Sequence, residues 1–180
     1  MRRLAKKNWR DLCLFEIKKD NEISELIAIT KSDSGILGPK LAKAHMNLGE
    51  RLGEAFGDLD PEDTTVVAII RGGLFFAEGL YFKLGCKFQM YNPKTEEFVR
   101  PTTKNVIIVD SVINTGKTIQ DILEPDMYVA CCVINQKAVS LFDKQLYTIR
   151  VSENSFVGSD VRQQFGNKGP DTTMRLFNLI

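Results

Sequence analysis

From Val106 to Thr118 the chain reads VIIVDSVINTGKT, and no other stretch narrows its possible folds so much. Val106, Ile107, Ile108 and Val109 form an unbroken β-branched run, which suits a strand covered on both faces, as strands of parallel sheets are. Asp110 follows, then a polar turn with a single glycine, Gly116, and then the first residues of a helix. A buried parallel strand that ends in a carboxylate and leads into the N–H groups of a helix N-terminus forms an anion-binding cup with an acceptor beside it. A ligand carrying both phosphate and hydroxyl groups matches that chemistry.

The rest of the chain alternates in the same way. From Pro39 to Phe56 the apolar residues Leu41, Ala44, Leu48, Leu52 and Ala55 recur at helical spacing, with Gly38 and Pro39 suiting the first turn and Gly57 the end. Thr64 to Ile70 (TTVVAII) reads as a buried strand broken by Arg71-Gly72-Gly73, and LFFAEGLYFKL as a helix closed by Gly85. A strand at CKFQMY, a polar segment from Asn92 to Lys104, the Val106 strand, a helix near Thr118 to Leu123 and a strand from Met127 to Ile134 complete the pattern. Alternating units of this kind predict an α/β fold, an open and mostly parallel twisted sheet with helices on both faces. Ligands bind such sheets outside the carboxyl ends of the strands, which is where both glycine-containing breaks fall. At 180 residues a single domain, 1–180, is expected, with no internal repeat and no interdomain linker.

Charge and cysteine content exclude several functions. Twenty-four Lys and Arg against twenty-three Asp and Glu leave a net charge of +1, so no overall field recruits nucleic acid or a membrane surface. The basic N-terminus, which contains Trp9, is interrupted by charges before an apolar run of signal-peptide length develops, and no stretch approaches membrane-spanning length. A cytoplasmic protein is the expectation. Cys13, Cys86, Cys131 and Cys132 lack metal or redox spacing and read as reduced structural thiols. His45 is the one histidine, so histidine-based zinc sites and Ser/His or Cys/His nucleophilic machinery have little to build from, and its place in a helical pattern reads as packing or surface.

Gly116-Lys117-Thr118 also looks like the tail of an ATP-type phosphate loop. That motif needs a glycine five positions before the second one, where this chain has Ser111, with Asp110 just before it. The stretch instead resembles the signature of the type I phosphoribosyltransferases, which bind phosphoribosyl pyrophosphate and pass its sugar phosphate to a nitrogen base. The resemblance implies the fold of that family, with a small base-binding hood. It assigns Asn114, Thr115, Gly116, Lys117 and Thr118 to the 5′-phosphate, where the Thr115 and Thr118 hydroxyls are donors and Gly116 lets the backbone come close; Lys117 either adds charge or faces solvent. Asp110 accepts from a ribose hydroxyl in this reading, and helix capping is its alternative role. Many family members carry a second acid where this chain has Ser111, whereas uracil phosphoribosyltransferases have a non-acidic residue there, and the second ribose contact is open.

Ile70-Arg71-Gly72-Gly73-Leu74 resembles the family's pyrophosphate loop, and a guanidinium fork beside small residues is what a diphosphate needs. Asn92 to Lys104 stands where the family has a mobile loop; Arg100 and Lys94 are its basic residues, and a solvated loop is the alternative for both. The tail DTTMRLFN resembles the uracil-type ending, with Asp171, Arg175, Leu176 and Phe177 in register and Thr173 and Met174 replacing Gly and Asp. That alignment puts Pro170, Asp171 and Thr172 along the base and sugar pocket and the backbone of Val157, after Phe156, against the base. Phe156-Val157-Gly158 also echoes the base-stacking segment of hypoxanthine-guanine enzymes, and an apolar C-terminal strand packing on the core is the alternative for Phe156 and Phe177.

The resemblance thus implies a nucleobase phosphoribosyltransferase, with Asp110 and Arg71 at the reacting centre. The partners are phosphoribosyl pyrophosphate and a nucleobase, with Mg²⁺ carried by the substrate and Asp171 its one candidate protein ligand, in a homodimer. Uracil is the expected base, a purine (hypoxanthine, guanine or xanthine) the alternative. A regulator that binds phosphoribosyl pyrophosphate without turnover is the rival from another class.

Overall fold

The β-branched runs all form strands of one sheet, flanked by the elements between them. The computed structural model describes residues 14–142, 145–156 and 161–180. In chain order its elements are β1 (Phe15–Glu16), α1 (Asn21–Thr30), α2 (Gly38–Gly53), β2 (Thr64–Ile69), α3 (Leu74–Leu84), β3 (Lys87–Tyr91), β4 (Asn105–Ile113), α4 (Lys117–Gln120), β5 (Tyr128–Asn135), β6 (Leu146–Ser152), β7 (Ser155–Phe156), β8 (Lys168–Gly169) and α5 (Thr172–Leu176), with 3₁₀ turns at Glu54–Phe56, Pro61–Asp63 and Gln136–Phe142.

Six strands assemble in the order β1-β6-β5-β4-β2-β3, every pairing parallel, and β7 and β8 pair separately. Chain order reverses at the contact of β2 with β4. β3 lies outside β2, and the chain then crosses back to set β4 on the other side of β2. Such a switch point opens a crevice at the carboxyl ends of the two strands. The register pairs Ala68 with Val109, so the residues that follow, Ile69 and Asp110, are level with each other; β2 stops there, while β4 runs on beside β5 to Ile113.

Alternation along the strands divides the core in two. Val66, Ala68, Ile107 and Val109 pack with Leu48, Leu52, Phe76 and Leu80 beneath α1, α2 and α3. Val67, Ile69, Val106 and Ile108 face the other way and meet Ile119, Val139 and Phe142, so that face is closed by α4 and a 3₁₀ turn, not by long helices. The predicted stripe of α2 is seen in the burial of Leu41, Ala44, Leu48 and Leu52, although the α-helix ends at Gly53 and a 3₁₀ turn runs on to Gly57.

Three expectations change. β4 runs to Ile113, so Asp110 lies inside the strand and neither ends it nor caps a helix. The helix expected near Thr118 to Leu123 is a single turn, Lys117–Gln120, because the chain turns away before Glu124-Pro125. The tail forms a helix, α5, capped by Asp171 accepting from the Met174 N–H at 2.8 Å, and not an apolar strand. The Asn92–Lys104 segment returns from β3 to β4 with its second half fastened down. Gln89 donates to the Val99 carbonyl at 2.9 Å, Arg100 pairs with Glu124 and Asp126, and the Lys104 N–H donates to Asp63 at 2.9 Å. Arg100 is thereby committed away from the carboxyl ends of the strands.

Among the described residues Cys86, Cys131 and Cys132 are free thiols; Cys13 lies outside them. No described helix is long and apolar enough to cross a membrane.

Candidate active site

At the switch point lies a cleft of about 570 Å³, lined by Arg71, Gly72, Asp110, Ser111, Asn114, Phe156, Asp171 and Thr172, together with Asn92, Lys94, Val112, Thr173 and Met174. Its architecture begins where β2 stops. The Gly73 N–H donates back to the Ile69 carbonyl at 2.8 Å, closing a turn before α3, and the Ile70–Arg71 peptide within it is cis. The turn is pressed onto β4: a Cβ on Gly73 would lie 2.6 Å from the Val109 carbonyl oxygen and 2.7 Å from that of Ile69, so a larger residue does not fit. A Cβ on Gly72 would lie 3.3 Å from Asp110 Oδ1 and 3.0 Å from Thr173 Oγ1. Three segments remote in sequence, the Arg71 turn, the middle of β4 and the start of α5, are therefore in contact around one cavity.

Asp110 is the half-buried acid of this cavity. Burial pushes its carboxyl up to about 7, the Ser111 and Val112 N–H groups pull against that shift, and the negative charge of Asp171 adds to it. Among the described residues no cation lies within ion-pair distance of Asp110. Arg71, exposed on the cleft rim, and Lys94, on its other lip, supply positive charge there.

Ser111 is 1% exposed, and its hydroxyl lies 3.2 Å from Nδ1 of His45 on α2, itself 1% exposed. The hydroxyl is thus engaged beneath the cleft and is not offered to a ligand as a second acid would be. Burial, with the positive charges of Arg175 and Arg150, holds the His45 imidazole down to about 3, so the ring is neutral. The packing reading of His45 holds, with Ser111 as its partner.

The Asn114–Thr118 loop is divided between two cavities. Asn114 donates from Nδ2 to the Phe156 carbonyl at 2.8 Å and lines both the main cleft and a smaller pocket of about 290 Å³ shared with Thr115, Asn135, Lys137, Ala138 and Ser155. Gly116 has φ +77°, and a Cβ there would meet the Phe142 ring at 2.8 Å. Lys117 and Thr118 are exposed and line neither cavity. Pro170 is buried just outside the cleft, next to Asp171 and Thr172, which line it. Val157 lies outside the described residues.

Asn135, Lys137 and Ser155 were not singled out from the sequence, though the rule that located Arg71 applies to them. Lys137 stands two residues past β5, at a strand's carboxyl end. Among the described residues no group of three or more His, Cys, Asp or Glu side chains is placed to hold a metal ion.

No protein-family model matches this chain, and no curated protein sequence does either. Solved structures do match. The AQ2163 protein from Aquifex aeolicus superposes with a TM-score of 0.69 at 19% identity, over 91% of this chain and 97% of that one. The adenine phosphoribosyl transferase from Trypanosoma brucei, solved with AMP, pyrophosphate and ribose-5-phosphate, gives 0.54 at 14% identity over 77% of this chain and 83% of that one. A hypoxanthine-guanine phosphoribosyltransferase from Bacillus anthracis gives 0.50 at 16% identity over 65% and 82%. At these identities the likeness is one of fold, and the fold is that of the type I phosphoribosyltransferases.

Proposed function

We propose that the chain is a nucleobase phosphoribosyltransferase that works in the switch-point cleft. The observation that carries this reading is the closeness of the Arg71-Gly72 turn to Asp110: a diphosphate-type donor fork and a half-buried acceptor for sugar hydroxyls, side by side on one cavity. In the reaction a ring nitrogen of the base forms a bond to C1 of the ribose, the C1–O bond to pyrophosphate breaks with its electron pair leaving on the diphosphate, and the base gives up its N–H proton. Positive charge grows on the sugar and negative charge on the leaving group. The work of the chain is therefore positioning and electrostatics. Arg71 receives the diphosphate, Asp110 faces the ribose hydroxyls, and the Asn114–Thr118 loop takes the monoester phosphate.

Asp110 and Asp171 both line the cleft, and the negative charge of Asp171 raises the Asp110 carboxyl, so the pair fits a divalent cation that arrives on the substrate. Asp171 would be the protein group beside such a Mg²⁺, which would supply positive charge against the diphosphate. The site makes no use of a histidine, in agreement with the packing role of His45.

Uracil is the proposed base. Ser111 in place of a second acid and the Asp171-to-Phe177 ending support it; Phe156 and Thr172 on the cleft wall, and the backbone of Val157, are its proposed neighbours. The same resemblance supports a homodimer. The test is pyrophosphate release from phosphoribosyl pyrophosphate and Mg²⁺ with each free base in turn. Release with uracil is expected. Preference for hypoxanthine, guanine or xanthine overturns the base assignment, and binding without release for any base leaves a binding module in place of an enzyme.

A further inference from the structure

The tail segment DTTMRLFN supplies more than a wall of the cleft. α5 is locked in place by Arg175, 1% exposed, which donates to the carbonyls of Thr30, Lys31 and Ile36 and to Ser34 Oγ at 3.0 to 3.3 Å. Directly after it comes Phe177, whose ring packs at a tilt of 38° against Phe75 of α3, with centroids 5.3 Å apart. The same ring also has Arg71 over it, with Cζ 5.5 Å from the ring centroid. Among the described residues no carboxylate lies within ion-pair distance of Arg71, so the aromatic face is the one electrostatic partner that the fold provides for this guanidinium.

We infer that Phe177 is a positioning residue, holding the Arg71 guanidinium at the cleft rim ready for a diphosphate. This rests on the function proposed above. An arginine at a glycine-rich turn has several freely rotating bonds, and ordering it on binding costs conformational entropy. A ring packed against Phe75 takes up that cost in the ligand-free protein while leaving the guanidinium N–H donors uncommitted to a carboxylate. A carboxylate partner would have ordered the side chain as well, but it would have competed with the diphosphate for those donors. The arrangement therefore explains why a cation of the site is stacked and not paired.

The test uses the full chain with two readouts. In the ligand-free protein, the side-chain protons of Arg71 should show an upfield ring-current shift by NMR that is present in wild type and in F177Y and lost in F177L. In calorimetric titrations with inorganic pyrophosphate and Mg²⁺, F177L should bind about two- to five-fold more weakly, the range a partly exposed cation–π contact supports. F177Y should bind as wild type does, and F177L should add nothing in an R71A background. Absence of the ring-current shift, equal binding by F177L and wild type, or an F177L loss that persists in the R71A background overturns the assignment. A wild-type protein that shows the shift yet binds neither pyrophosphate nor phosphoribosyl pyrophosphate overturns the proposed function instead.

Discussion

A carboxylate held as Asp110 is opposes folding wherever it is charged. Its folded value of about 7 stands above the ordinary value of 3.8, so between those two the folded state holds a proton that the unfolded chain has released. Its contribution to stability therefore falls as pH rises from about 4 to 7, and the penalty is complete above 7. Asp110→Asn should raise the melting temperature of the ligand-free protein at pH 8 by a few degrees, with the gain shrinking to nothing near pH 4, while lowering turnover by about 100-fold, as loss of a positioned electrostatic group does. Thermal scans across that range check the first part, and an unchanged gain at all pH values contradicts it. His45 shows the opposite shift: with a folded value of about 3, it fails to take up a proton that the unfolded chain accepts below 6.5, and stability is lost as pH falls through that interval. As the one histidine of the chain it gives isolated ¹⁵N resonances, which should report a neutral ring at pH 5; a midpoint near 6.5 would show that the ring is not enclosed. The sequence revealed that Ser111 replaces an acid. It held no trace of where the hydroxyl goes, because the partner is 66 residues away on another element.

The elements differ in how plainly the sequence announces them. β2, β4 and β5 are covered on both faces over most of their length, so each carries a readable apolar run, though the run of β4 breaks at Asp110 while the strand goes on to Ile113; α2 shows its stripe because one side of it meets the sheet. α4 and α5 are four and five residues long, below the length at which periodicity exists to be read, and each is set by its neighbours. Gly116→Ala tests the turn before α4. A side chain at φ +77° that also meets the Phe142 ring should cost about 2 kcal/mol in urea unfolding, and a cost near zero would mean the turn is not built this way. Arg175→Met tests the anchoring of α5. Four acceptors lose a buried charged donor, so a loss of about 3 kcal/mol is expected, and Arg175→Lys should recover little of it because an ammonium lacks the planar fork.

At the scale of the whole molecule, function follows from strand order more than from any motif. Because β4 lies between β2 and β5, the turn after β2 and the acid on β4 meet at one end of the sheet, and the C-terminal segment from Asp171 to Phe177 closes over both. Local patterns gave the two halves of the site separately, and the rule for carboxyl ends of strands gave their common end. The order that makes them neighbours, and the arrival of the tail and of Lys137, are decisions of tertiary packing. The proposed cleft is therefore best tested by a crystal structure determined with phosphoribosyl pyrophosphate and Mg²⁺ at saturating concentration. The diphosphate should lie against Arg71 and Gly72, the ribose hydroxyls within hydrogen-bond distance of Asp110, and the monoester phosphate at the Asn114–Thr118 loop. A cleft left empty under those conditions, or a donor bound elsewhere on the molecule, would contradict the account.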